Sequence, residues 1–189
     1  MEYVVAAVLG YLLGSIPAAL LVARRHGVDL RRTGDGNPGA WNALEQLGPR
    51  RALPAFLGDG AKGFGAGLAG LALAGWWGGF AGVAAAMVGH AFPLFAGFRG
   101  GKAVMTFVGG MFALAPIAAL VCLAFCVAVT AATGFKWGAR VAVFAFPFVQ
   151  LALNPVAHVI ATGALMTLIG LLFLVRSRPR VDAGVPHAG

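Results

Sequence analysis

Charged side chains are scarce in this sequence: 14 basic and 6 acidic among 189 residues, or 11%. A soluble domain carries about a quarter. Too little polar surface is available to cover a water-soluble globule, so a soluble enzyme is excluded. A disordered chain is excluded as well, because 60% of the residues are hydrophobic. Cysteine is nearly absent. Cys122 and Cys126 stand one helical turn apart inside an apolar run. Two thiols cannot complete a four-ligand structural zinc site, and they read as small apolar residues.

What the chain has in abundance is apolar sequence punctuated by 29 glycines and 10 prolines, a composition that membrane helices tolerate. A span needs roughly 20 apolar residues. Candidate runs cover 3–23, 52–75, 79–95, 103–133, 141–153 and 156–175. The first lacks the basic leader of a signal peptide. The 103–133 run is too long for one ordinary span, and Pro116 divides it. With that division there are seven spans, and the basic residues fall on alternate connections. Arg24, Arg25, Arg31, Arg32, Arg50 and Arg51 share one loop; Arg99 and Lys102 lie in another, Lys136 and Arg140 in a third, and Arg176, Arg178 and Arg180 in the tail. The connections near Trp76, Pro116 and Asn154 carry no basic residue.

The positive-inside rule therefore predicts an all-α integral membrane bundle of about seven helices, N-terminus outside and C-terminus cytoplasmic. Residues 1–175 form one polytopic domain and 176–189 a basic cytoplasmic tail. Every basic residue except Lys62 lies in a connection or the tail, so the net charge of +8 reads as a topology signal and no nucleic-acid partner is expected. The 103–115 half-run reaches only ~20 Å at ~1.5 Å per residue. Its N-terminus should sit recessed in a polar pocket. Trp76 and Trp77 are expected to anchor an interface.

Three groups of residues carry chemistry. Gly34-Asp35-Gly36-Asn37-Pro38-Gly39-Ala40-Trp41-Asn42 has glycines spaced to turn backbone amides toward one point, a nest for an anion; Asn37 and Asn42 add side-chain donors, and Arg31 and Arg32 precede them. His90-Ala91-Phe92-Pro93 followed by Phe98-Arg99-Gly100-Gly101-Lys102 sets glycines and a lysine at a helix start, which suits a phosphate. Asp59 and Lys62 lie inside a span at i, i+3 and can pair there; ionisable groups at that depth usually face the bundle interior. Gly14-Ser15-Ile16-Pro17 gives a small face and a kink in the first span. Two phosphate-suited loops beside the bilayer point to joining a phosphorylated soluble molecule to a lipid chain.

From Tyr11 to about Phe112 these motifs, in this order, resemble the bacterial acyl-phosphate:glycerol-3-phosphate acyltransferase family, PlsY. The resemblance implies a multi-pass enzyme of the bacterial inner membrane that needs no cofactor and no metal. It would move an acyl group from acyl phosphate to glycerol 3-phosphate, forming lysophosphatidic acid for phospholipid synthesis, with the bilayer and the acyl-phosphate-producing enzyme as further partners. Carried onto this sequence, it makes Asp35, Asn37, Asn42 and Lys102 the catalytic candidates. Ser15, Arg32, Gly34, Gly36, Gly39, Asp59, Lys62, His90, Arg99, Gly100, Gly101 and Thr106 become substrate-binding candidates.

The chain departs from the family pattern at several places. Asp35 stands where the family has Ser, Trp41 where it has Thr, and Glu45 where it has a basic residue. Ala103 replaces a Gly, Arg140 aligns with a family Ser, and the His-x-x-Asn-Ile segment expected near 177–181 is missing. Three readings stay open: an acyltransferase with this or another acceptor, a catalytically degenerate relative that binds acyl phosphate or a lipid phosphate, and a small transporter using Asp59, Lys62 and His90.

Overall fold

The computed structural model describes residues 1–176, and among them every regular element is helical. The helices are α1 (Glu2–Gly14), α2 (Ala18–Arg25), α3 (Ala40–Leu47), α4 (Pro49–Ala91), α5 (Val104–Leu114), α6 (Pro116–Thr133), α7 (Phe135–Leu153) and α8 (Val156–Arg176). The basic tail expected from 176 onward lies, beyond Arg176, outside the described residues.

Helix breaks fall where the backbone demands them. Pro17 lacks an amide donor, so α1 stops at Gly14 and α2 resumes after Ser15-Ile16-Pro17. Together they make one crossing, Glu2–Arg25. Helix α4 is a hairpin of two arms, 49–73 and 76–91, because Ala74 and Gly75 leave helical geometry, Gly75 at φ +61°. Pro116 divides α5 from α6 as predicted, sitting in the first turn of α6 where its missing amide costs nothing. The bundle thus has seven helical segments, α1–α2, the two arms of α4, α5, α6, α7 and α8, and among the described residues Glu2–Arg25, Pro49–Ala96, Pro116–Thr133 and Val156–Val175 are long and apolar enough to cross a membrane.

One boundary differs from expectation. Helix α7 begins at Phe135, not near 141, because Gly134 (φ +93°) reverses the chain in a single residue. Lys136 and Arg140 consequently belong to the first turns of a helix; the Arg140 guanidinium lies 5.2 Å from the Trp137 ring centre.

Helix α4 holds the bundle together. Helix α1 crosses arm 76–91 at backbone contact: a Cβ on Gly14 would collide with the Ala86 carbonyl oxygen, and one on Gly89 with that of Tyr11. Helix α5 crosses arm 49–73 the same way, Gly63 facing the Thr106 carbonyl. Small residues permit this close approach where lipid supplies no hydrophobic drive between helices. Helix α5, about 16 Å long at ~1.5 Å per residue, is too short to cross alone and is buried through Phe107, Met111 and Leu114.

The uncharged connections share one end of the bundle. Trp76 Nε1 donates to the Leu114 carbonyl at 3.1 Å, and the Trp76 ring stacks on His158 with centroids 3.6 Å apart. Trp76 is therefore a packing residue, while Trp77 keeps an exposed face. Both glycine-bearing loops lie at the opposite end.

Candidate active site

The 34–42 loop folds around Asn42. Left-handed turns at Gly34 (φ +61°) and Gly36 (φ +67°) bend the chain back on itself. Asn42, fully buried, then donates through Nδ2 to the carbonyls of Leu30 (3.0 Å), Thr33 (2.9 Å) and Asn37 (3.0 Å). Its donor is used inside the loop, so its part is to hold the loop's shape. Asp35 Oδ1 accepts from the Asn37 backbone N–H at 3.0 Å. Asn37 is buried, with its side-chain Oδ1 lacking a hydrogen-bond partner.

The second segment corrects an expectation. The amides of Gly100 and Gly101 are not open to an anion: they donate to the carbonyls of Ala91 (3.1 Å) and His90 (3.2 Å). Those carbonyls end α4 and have no helical partner of their own, so the returning chain satisfies them. Gly100 must be small, since a Cβ there would collide with the His90 carbonyl oxygen. Beyond them stand Lys102 and the start of α5, capped by Ala103 in a left-handed conformation (φ +59°). Thr106, in the first turn of α5, is fully buried, and its Oγ1 lacks a hydrogen-bond partner.

The two segments meet. Arg31 donates from Nη2 to the Ala96 carbonyl and, at 2.9 Å, to that of Arg99. A Cβ on Gly101 would come within 3.4 Å of Gly39 Cα. Lys102 Nζ lies 3.5 Å from Asp35 Oδ2 and 4.5 Å from the centre of the Phe173 ring. Arg32 takes no part: its side chain is 86% exposed and faces Asp29 at 3.6 Å. Arg31, not singled out from the sequence, is the arginine that ties the loops, and nothing in an Arg-Arg pair says which one turns inward. Arg99 is exposed at the rim.

Beneath the recess is a buried ionic group. Lys62 Nζ lies 2.9 Å from Asp59 Oδ1 and donates to the Ile16 carbonyl at 3.0 Å, while His90 Nδ1 is 3.5 Å from the same carboxylate oxygen. The Ile16 carbonyl, which also accepts from the Ala18 N–H at 3.0 Å, lies in the α1–α2 break, so the pair expected from the sequence also braces that break. Ser15 Oγ is turned back onto the Tyr11 carbonyl at 2.8 Å. Pro17, Pro38, Lys62, His90 and Gly101 enclose about 10 Å³, room for one water molecule. Among the described residues no cluster of three or more His, Cys, Asp or Glu side chains could hold a metal.

An apolar groove of about 630 Å³ lies between the α3–α4 corner, α5 and the α6–α7 hairpin. Val104 and Met105 line it just past Lys102, and Leu44 just past Asn42. Phe56 and Phe135 stand at the loop end; Phe107 and Phe146, edge to face at 6.1 Å, stand deeper. Its walls are ordinary apolar residues drawn from five helices, so no sequence pattern marks it.

Fold and site define an all-α, multi-pass membrane protein in which a cationic recess adjoins an apolar groove. Residues 4–183 match the sequence model of the family described as Glycerol-3-phosphate acyltransferase, and the chain belongs to that family. A glycerol-3-phosphate acyltransferase of Symbiobacterium thermophilum is 46% identical over 123 residues, 65% of this chain and 62% of that protein, so this match spans about three-fifths of the relative's length. One from Neisseria meningitidis is 39% identical over 192 residues, covering 94% of this chain and 90% of the relative. The crystal structure of PlsY (YgiH), an integral membrane glycerol 3-phosphate acyltransferase, in its glycerol 3-phosphate form superposes with a TM-score of 0.78 at 30% identity, over 93% of this chain and 88% of that one. The lysophosphatidic acid form gives 0.77 at 27% identity over 95% of each chain.

Proposed function

We propose that the protein transfers an acyl group from acyl phosphate to glycerol 3-phosphate, forming lysophosphatidic acid at the cytoplasmic face of a bacterial inner membrane. The observation that carries this is the nearness of the Lys102–Asp35 pair to the apolar groove, whose lining begins at Val104 and Leu44, two residues past Lys102 and Asn42. A phosphate anhydride at the recess would lay its acyl chain along Val104, Met105 and the residues beyond. The alternation of basic connections supports a recess on the cytoplasmic side, with the N-terminus outside and the basic tail inside. There it is open to glycerol 3-phosphate and to a contact with the enzyme that makes acyl phosphate.

Acyl phosphate is already activated, so positioning and charge stabilisation suffice. Lys102 and Arg99 hold the phosphate, and the 34–42 loop, shaped by Asn42 with Gly34, Gly36 and Gly39 at its turns, forms the wall beside it. The acceptor hydroxyl oxygen attacks the acyl carbon and the bond from that carbon to the phosphate oxygen breaks. Asp35 takes the hydroxyl proton and passes it to the departing phosphate. Asn37 Oδ1, buried and without a protein partner, accepts a hydrogen bond from a substrate hydroxyl. Asp59, Lys62, His90 and Ser15 hold the floor on which the two loops rest, and Thr106 and Gly100-Gly101 hold the start of α5.

The test is inorganic phosphate release from hexadecanoyl phosphate by the purified protein, with and without glycerol 3-phosphate, and mass spectrometry of the lipid product. Acceptor-dependent release supports the reading. Saturable binding of acyl phosphate without release for any polyol phosphate would establish a binding protein instead.

A further inference from the structure

One side of the groove is set apart from the rest of the bundle. Helices α6 and α7 pack chiefly on each other, and meet α5 and α8 over far smaller surfaces. They form a tight unit: a Cβ on Gly138 would collide with Thr130 Oγ1 and would lie 2.5 Å from the Cys126 carbonyl oxygen. One wall of the groove is thus a hairpin carried on the bundle's edge. At its tip, Gly134 delivers Phe135 to the α3–α4 corner. The Phe135 ring stacks on Trp41 of α3, centroids 5.9 Å apart and planes 10° from parallel, and meets Phe56 of α4 edge-on at 5.9 Å. Trp41 is itself fixed by donating from Nε1 to Glu45 Oε1 at 3.0 Å. Phe135 and Phe56 line the groove, and Trp41 adjoins Asn42, the residue that shapes the glycine loop.

We propose that Trp41 and Phe135 form an aromatic latch that sets the spacing of the groove walls and thereby the chain-length dependence of the acyl donor. The proposal rests on the reading that acyl phosphate is the donor. A chain gains affinity methylene by methylene only while both walls touch it, by up to about fourfold per methylene when fully buried. The groove follows α5 from Val104 to Phe112, about 12 Å at ~1.5 Å per residue. A methylene advances about 1.25 Å, from carbon–carbon bonds of ~1.5 Å at near-tetrahedral angles, so roughly ten carbons fit before the gain ends. Without Phe135 the hairpin loses both of its ring contacts with the loop corner, and without Trp41 it loses the stacked one of the two, so the far wall is held less closely to a fixed distance.

The experiment measures kcat/KM for butanoyl, octanoyl, dodecanoyl and hexadecanoyl phosphate with the full-length protein. The wild type should rise with length to about ten carbons and level off. Trp41→Ala and Phe135→Leu should flatten that slope, losing about tenfold or more for hexadecanoyl phosphate and less than threefold for butanoyl phosphate, chiefly in KM. Trp41→Phe keeps a ring to stack and should keep the wild-type slope. A uniform loss at every length would overturn the proposal, since that is what damage to the glycine loop alone would do. Alkylation of Cys126, on the groove wall, should be faster in Trp41→Ala than in wild type. Equal rates would also overturn the proposal, and this readout holds even where no acyl phosphate is turned over. Absence of turnover in the wild type, by contrast, would overturn only the parent reading.

Discussion

Replacing Asp35 by Asn tests the chemistry assigned to the recess, because it removes charge and changes little else. The amide can keep accepting from the Asn37 N–H through its oxygen, so the loop should survive. Two consequences follow with opposite effects on two kinetic constants. Lys102 Nζ lies 3.5 Å from Asp35 Oδ2, with side chains 15% and 28% exposed. At an effective permittivity of about 20, unit charges at that distance attract by roughly 5 kcal/mol. Desolvation and partial exposure offset most of this, leaving about 1 kcal/mol. Freeing Lys102 from that tie should tighten phosphate binding by about fivefold, seen as a lower KM for acyl phosphate. Loss of the proton acceptor should meanwhile reduce kcat by about a hundredfold or more. Steady-state phosphate release, varying hexadecanoyl phosphate at saturating glycerol 3-phosphate, separates the two. A kcat within threefold of wild type would remove Asp35 from proton transfer. A higher KM would show that Lys102 does not hold the phosphate.

Other substitutions probe the scaffold. Asn42→Asp should abolish activity as completely as Asn42→Ala, because an oxygen replaces the donor that three carbonyls share; turnover retained by the Asp variant would contradict the shaping role. Lys62→Met strands a buried carboxylate and should destabilise the fold by about 3–5 kcal/mol. Asp59→Asn combined with Lys62→Met should recover much of that in a detergent melting assay, and a double variant as unstable as the single would refute it. Gly63→Ala drives a Cβ into the Thr106 carbonyl oxygen, so α4 and α5 must part and the melting temperature should fall; an unchanged melting curve would mean that this crossing is loose. Membrane-impermeant labelling of intact cells should reach a cysteine placed at Met1 but not one placed at Arg24. The reverse pattern would invert the topology.

Much of the fold was legible because membrane constraints are written in composition. Apolar runs, prolines and the alternation of basic connections gave the passes, including the division at Pro116. The α7 start was misread because charged Lys136 and Arg140 look like loop, whereas a single left-handed Gly134 lets the helix begin beside them. In the site, the residues that were grouped by motif do converge, but their donors were assigned too freely. Gly100, Gly101 and Asn42 have polar groups that satisfy nearby backbone before any ligand arrives. Sequence shows that a donor exists; only the folded chain shows where the unsatisfied carbonyl is. The groove and the Phe135 contact join residues far apart in sequence by generic packing, which leaves no local signature.

The departures from the family pattern bear on whether the site is active. Taken singly, Asp35 and Glu45 add negative charge near the proposed phosphate site and Trp41 adds bulk. In the folded protein they are matched: Asp35 faces Lys102 and caps the Asn37 amide, Glu45 accepts from Trp41, and Trp41 stacks on Phe135. A site drifting free of function would accumulate changes one at a time, leaving the altered residues themselves without partners. Here Asp35, Trp41 and Glu45 each have a partner, on the loop, on α3, at the start of α5 or at the tip of the α6–α7 hairpin, the elements that bound the recess and the mouth of the groove. That distribution favours a recess retuned for its acceptor or donor over one that has lost its chemistry.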